Sequence, residues 1–197
     1  MSADLVAHLR TPFTLAALIT TADEILAELL GGWPGPALTV HTGRRYTQGK
    51  RVADGRRLSA SELESTIVNA DLEALYEITV DDLEDGTWFS VVTFFDDPDD
   101  LDEPEERVEA ICSPHRTCVG VVIATSVALA AAQCGNGEFI DIEIALLRPP
   151  VHDPRSAIAA MRLSDPGTDL LARCTAFIRQ FEQLNGWPPD PSLSRPN

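Results

Sequence analysis

Val119-Gly-Val-Val-Ile-Ala-Thr-Ser-Val-Ala-Leu-Ala-Ala-Ala132 is the most hydrophobic run of the chain, and its reading decides the fold. At fourteen residues it falls short of the ~20 that a bilayer span requires. It therefore reads as a buried helix over Arg116–Gln133, ended by Gly135-Asn136-Gly137, that packs as the central helix against a sheet. No membrane association is expected from it.

The strands of that sheet are read on either side. Ala74, Tyr76, Ile78 and Val80 alternate with Glu73, Glu77 and Asp81, the pattern of a half-exposed strand. Asp85-Gly86 turns the chain into Thr87–Phe95, which is apolar on both faces and reads as a central strand. Leu38–His41 is a short strand candidate. Glu138–Leu147 alternates most clearly, with Ile140, Ile142, Ile144 and Leu146 inward and Asp141 and Glu143 outward.

Helices complete the pattern. Thr11 and Pro12 open the first, whose apolar stripe runs from Phe13 to Leu30 before Gly31-Gly32 stops it. Ser59-x-x-Glu62 is a capping box. Asp153-Pro154 opens a short helix through Met161, and Asp165-Pro166 introduces a terminal one ending near Leu184. Both outer helices run into Gly-Trp-Pro, read as C-capping with a Trp folded back rather than as a duplication. The order α-β-α-β-β-α-β-α-α predicts an α/β (α+β) fold. It has a mixed, mainly antiparallel sheet of about four strands covered by helices, with N- and C-terminal amphipathic helices. One domain is expected over 1–187, with 188–197 a Pro-rich tail.

Charge is the most distinctive feature. Of a net −16, the stretch Asp71–Glu109 carries nearly all, with sixteen carboxylates against Arg107 alone. The basic counterpart is Arg44, Arg45, Lys50, Arg51, Arg56 and Arg57, in a loop or loose hairpin over Gly43–Arg57. An acidic balance argues against nucleic acid as a partner, because carboxylates repel phosphates. Tyr46 alone among these cations is thin for base stacking. The segment matches no Walker A pattern.

Chemical motifs are sparse. The run from Asp96 to Glu106 has two prolines and no Gly, unlike an EF-hand loop, and it belongs to a solvated acidic linker read over Asp96–Glu109. Gly135-Asn136-Gly137 precedes a strand, not a helix, so it is no dinucleotide fingerprint. Cys112-Ser-Pro-His115-Arg-Thr-Cys118 has the best metal-like spacing, yet zinc wants four ligands and only three are local. A thiolate near a helix N-terminus and His115 is the other sharp reading, against structural thiols as the plain one. No G-x-S-x-G or H-E-x-x-H occurs. No cofactor is expected.

Met1–Arg10 contains an acid and no apolar h-region. With four cysteines, this predicts a cytoplasmic chain with reduced thiols. Fourteen Arg against one Lys, with abundant Ala, suggests a GC-rich bacterial origin. The function expected is a non-catalytic, acidic protein-binding module of inhibitor, immunity-protein or chaperone type, engaging a basic protein partner. Glu73, Glu77, Asp141 and Glu143, together with Asp96, Asp97, Asp99 and Asp100, are its candidate contacts, the first four on one acidic sheet face. The alternative is a small enzyme or zinc protein using Cys112, His115 and Cys118. The succession of hairpin, Ala-rich helix and acidic strand is similar in outline to polymorphic-toxin immunity proteins. That likeness implies a protein that shields a basic toxin, and no site residue is carried over from it.

Overall fold

In a computed structural model, residues 4–33, 35–43, 45–47, 50–53, 55–80, 83, 85–95, 106–164 and 168–184 are described. In chain order they form β1 (Leu5–Leu9), β2 (Phe13–Thr14), α1 (Leu15–Leu29), β3 (Leu38–Thr42), β4 (Arg45–Thr47), β5 (Lys50–Ala53) and β6 (Arg56–Arg57). There follow α2 (Ala60–Ser65), β7 (Ile67–Val68), β8 (Tyr76–Val80), β9 (Gly86–Phe95), β10 (Glu106–Pro114), α3 (Cys118–Cys134), β11 (Glu138–Ile140), α4 (Pro154–Met161) and α5 (Leu170–Arg179).

The hydrophobic run lies inside α3, whose residues from Cys118 to Ala132 are all buried. An all-round apolar helix needs neighbours on every side. Strands β1, β9, β10 and β11 cover one side of α3, and α1, α4 and α5 the others. Its two internal hydroxyls are satisfied by the helix itself: Thr125 Oγ1 donates to the Val121 carbonyl at 2.7 Å and Ser126 Oγ to Ile123 at 2.8 Å. At its start Thr117 Oγ1 accepts the Gly120 N–H at 2.8 Å. At its end the Gly135 carbonyl accepts from Arg10 and Thr11 at 2.9 and 3.0 Å, tying the helix to β1. Gly137 lies so close to β1 that a Cβ there would stand 1.7 Å from the His8 carbonyl oxygen. The Gly-Asn-Gly turn is thus a docking joint between α3 and β1.

Among the described residues the sheet has seven strands in the order β11-β1-β10-β9-β8-β3-β6, with every pairing antiparallel. This corrects the expected four, and β1 precedes the helix expected to open the fold. Three strands escape the sequence reading for identifiable reasons, and β6, of two residues, is too short to alternate. In β1 only Leu5, Ala7 and Leu9 alternate, a short signal. In β10 the alternation of Val108, Ala110 and Cys112 is submerged in the acidic stretch that reads as a linker through Glu109. Leu5, Ala7, Val40, Ile78, Phe89, Ala110, Cys112 and Phe139 all face the helices, and each is 2% exposed or less.

The strand expected over Glu138–Leu147 stops at Ile140. Asp141 turns the chain: its Oδ1 accepts the N–H of Ile144 and Ala145 at 3.1 and 2.8 Å, and its Oδ2 that of Leu146 at 2.6 Å. Ala145 takes a φ of 56°. Ile142 is left 81% exposed while Ile144 and Leu146 are buried, so alternation here mimics a strand that a side-chain-capped turn replaces.

Helix starts follow cap chemistry. Thr14, rather than Thr11, caps α1 by accepting from Ala17 at 3.1 Å, because Phe13 and Thr14 are extended and pair with Val68 and Ile67. Ser59 and Glu62 form the complete capping box of α2. Asp153 caps α4 through Ser156 at 2.8 Å. Asp169 caps α5 through Ala172 at 2.9 Å; the expected opening at Asp165-Pro166 lies outside the described residues, as do 185–197. Beyond α1, Arg173 of α5 stacks 5.1 Å from the Trp33 ring and donates to the Leu30 carbonyl at 2.8 Å. The basic segment forms the β4–β5 hairpin followed by β6. No helix of the described residues is long and apolar enough to cross a membrane.

Candidate functional site

Helices cover one face of the sheet, and the polar chemistry collects on the other. Pairing register sets the rows of that second face: His41 opposes Glu77, Glu77 opposes Trp88, and Trp88 opposes Ser113. Glu77 is fully buried. The residue that closes over it is His115, in the turn from β10 to α3. His115 Nε2 lies 3.6 Å from Glu77 Oε1, and its Nδ1 lies 3.5 Å from Asp85 Oδ1. Asp85 in turn accepts the Thr117 hydroxyl at 2.8 Å, so the α3 cap and this cluster share a side chain. Trp88 flanks the imidazole with ring centroids 6.2 Å apart. Thr39 joins the row through contacts with His41 Nε2 at 3.3 Å and Thr79 Oγ1 at 3.2 Å.

A second polar group lies further along the same face. Glu109, 9% exposed, receives His8 Nε2 at 3.0 Å and Arg107 Nε at 2.8 Å. Arg107 also stacks 5.8 Å from the Phe94 ring. Between the groups lie half-buried Val6, Ile111 and Ile140, while Val92 and Phe94 are 36% and 39% exposed. Acid–base catalysis by this imidazole and its two carboxylates would require a substrate cavity at that point. Among the described residues, one surface hollow of about 330 Å³ lies between α1 and α4 and another beside Phe139 and His152, and His115 lines neither of these.

The residues singled out from sequence fall into three groups. Glu73 is exposed in the segment leading into β8. Glu143 is exposed and accepts the Asp4 N–H at 2.7 Å. Glu77 and Asp141 serve the fold, one beneath His115 and the other as a turn cap. The expected half-exposed strand is therefore closed at Glu77, and the acidic sheet face joining these four does not form. Burial pushes the Asp141 carboxyl up, against the pull of its three N–H donors. Asp96, Asp97, Asp99 and Asp100 lie outside the described residues.

Cys112, His115 and Cys118 do not converge. Cys112 faces the helices, His115 the carboxylates, and Cys118 the α5 side, near Thr175. Among the described residues no group of three His, Cys, Asp or Glu is placed to hold a metal ion. Burial pushes all four thiols up, Cys112 and Cys174 furthest, which opposes thiolate formation. In the basic segment, Arg56 pairs with Glu62 at 2.7 Å. Asp85, Trp88 and His41 are the cluster members that sequence reading passes over; their signal is strand register, which no local pattern carries.

No protein-family model matches this chain, and no curated protein or solved structure matches it either.

Proposed function

We propose that this chain is a non-catalytic protein-binding module, of inhibitor, immunity-protein or chaperone type, that engages a basic protein partner in a bacterial cytoplasm. The observation that carries this reading is the concentration of sixteen carboxylates against one Arg in Asp71–Glu109, the stretch that contributes β8, β9 and the start of β10. A field of that strength steers a cationic partner into contact and raises the association rate, while apolar contacts supply residence time. Exposed Val92, Phe94 and Phe95 on β9 are apolar anchors of the required kind.

The test is a pull-down of the full chain from its host, run beside a variant with Asp96, Asp97, Asp99 and Asp100 changed to Asn. A strongly basic protein is expected, retained at low salt and released in about 1 M salt, where the screening length falls to about 3 Å. The variant should capture it more slowly. Capture that ignores both salt and these substitutions would remove the electrostatic basis of the proposal.

A further inference from the structure

Among the described residues the outer half of β9 has an open backbone edge, and we propose that it takes an extended segment of a basic partner as an added strand. This rests on the proposed function and specifies how docking occurs. The direction of the backbone groups follows from two hydrogen bonds. The Asp85 carbonyl accepts the Val80 N–H at 3.2 Å and so points toward β8; the Gly86 carbonyl accepts the His115 N–H at 2.9 Å and points the other way, toward β10. The β9–β10 register is regular from Thr87 to Phe95, so the direction alternates with each residue. Thr87, Phe89, Val91, Thr93 and Phe95 therefore turn their N–H and C=O groups toward β8.

β8 uses only the first two. Its pairing with β9 ends at Tyr76–Phe89, and the preceding segment turns away, with the Leu72 N–H returning to the Asn69 carbonyl at 3.1 Å. Among the described residues, no backbone group pairs with Val91, Thr93 or Phe95 on that side. The other edge of the same stretch is fully laddered to β10. Three donors and three acceptors thus stand in a row, at about 6.6 Å per pair of residues.

The side chains suit an added strand. Val91-Val-Thr-Phe-Phe95 is β-branched or aromatic throughout, with no charge, proline or bulge of the kind that blunts edges. Val91 and Thr93 are half-buried and Phe95 is 72% exposed, whereas Val92 and Phe94 line the opposite face. Main-chain bonds would give affinity and these alternating surfaces specificity. The exposed ionisable neighbours select the charge of the guest. Asp71 and Glu73 lie on the segment leading into β8, and Glu106 stands opposite Phe95, while exposed Arg107, opposite Phe94, is engaged by Glu109. A Lys- or Arg-bearing strand is favoured there, while a second copy of this chain, itself at −16, is repelled.

Amide hydrogen exchange on the full chain tests this, with a peptide of about seven residues alternating Val and Arg, matched to ordinary strand length. Without peptide, the amides of Val91, Thr93 and Phe95 should exchange quickly, and those of Val92 and Phe94 slowly. With peptide the first three should slow about tenfold or more. A version N-methylated on alternate residues, or with Glu for Arg, should leave them fast. Thr93→Pro should keep the fold, because its N–H points outward, and lose the peptide effect. Edge amides already slow in the free monomer would overturn the inference, as would slowing that depends on protein concentration alone. Peptide that binds without protecting these amides would overturn the edge and leave the basic-partner reading standing. Equal protection by the Glu peptide would instead overturn the basic-partner reading.

Discussion

Gly120→Ala should destabilise this protein, against the usual effect of that change in a helix. Gly120 lies in the first turn of α3, where Ala is ordinarily better by up to about 1 kcal/mol. Here a Cβ would stand 2.5 Å from the His115 carbonyl oxygen and 2.9 Å from that of Gly86. Neither oxygen can yield cheaply. Gly86 O accepts the His115 N–H at 2.9 Å, and His115 O accepts the Thr117 N–H at 2.7 Å. Relief requires α3 to move off the β9–β10 end, and overpacking of this kind costs about 1–3 kcal/mol or more. The net loss is then about 1–2 kcal/mol, which lowers Tm by roughly 2–8 °C in a chain of this size. Urea and thermal unfolding followed by far-UV circular dichroism measure it directly. The displacement also loosens His115 from Glu77 and Asp85, so its ring resonances should shift in the folded variant. A Gly120→Ala protein that melts at or above the parent temperature would refute this account of how α3 meets the sheet.

Three further outcomes follow from the same geometry. Asp141→Ala strands the N–H groups of Ile144, Ala145 and Leu146 and should cost about 2 kcal/mol in urea titrations; a change near zero would show that the turn holds without its cap. The Glu62 carboxyl, held by the Ser59 N–H and hydroxyl and then by Arg56, is pulled down to about 2. Its contribution is therefore complete above the ordinary Glu value and is lost as pH falls through about 2, and NMR titration of Ser59→Ala should return it toward 4.5. Cys112 and Cys174, buried and pushed well up, should resist alkylation in the native protein and react on unfolding; rapid native labelling of either would contradict their placement.

What could be read from sequence depended on how local each signal was. The buried helix is legible because one uncharged run carries its length and Gly135-Asn136-Gly137 its end, while its start at the Thr117 cap lies just inside the Arg116 expected. The Ser59–Glu62 box and the Asp153-Pro154 start are legible for the same reason: cap and helix are adjacent in sequence. The central strand β9 shows itself through apolar residues on both faces. β10 does not, since its alternation begins amid carboxylates, and Glu138–Leu147 misleads because a turn built on Asp141 buries Ile144 and Leu146 at strand spacing. The polar cluster is the hardest case. Alternation correctly separates Glu77 from Ile78, but whether the opposite face is open at that point depends on His115, brought there by the β8–β9–β10 register.

The position of β1 has a consequence for how the chain comes to be folded. Leu5 pairs with Cys112 and Val6 with Ile140, so both neighbours of β1 are made long after it. Closing such long loops carries an entropic cost that local turns avoid. The β8–β9–β10 meander can assemble from contacts near in sequence, while β11 can join the sheet only through β1. During synthesis β1 must wait, unpaired, until β10 has emerged. Its late insertion, with β11 behind it, makes that end of the sheet, rather than the central meander, the slow step.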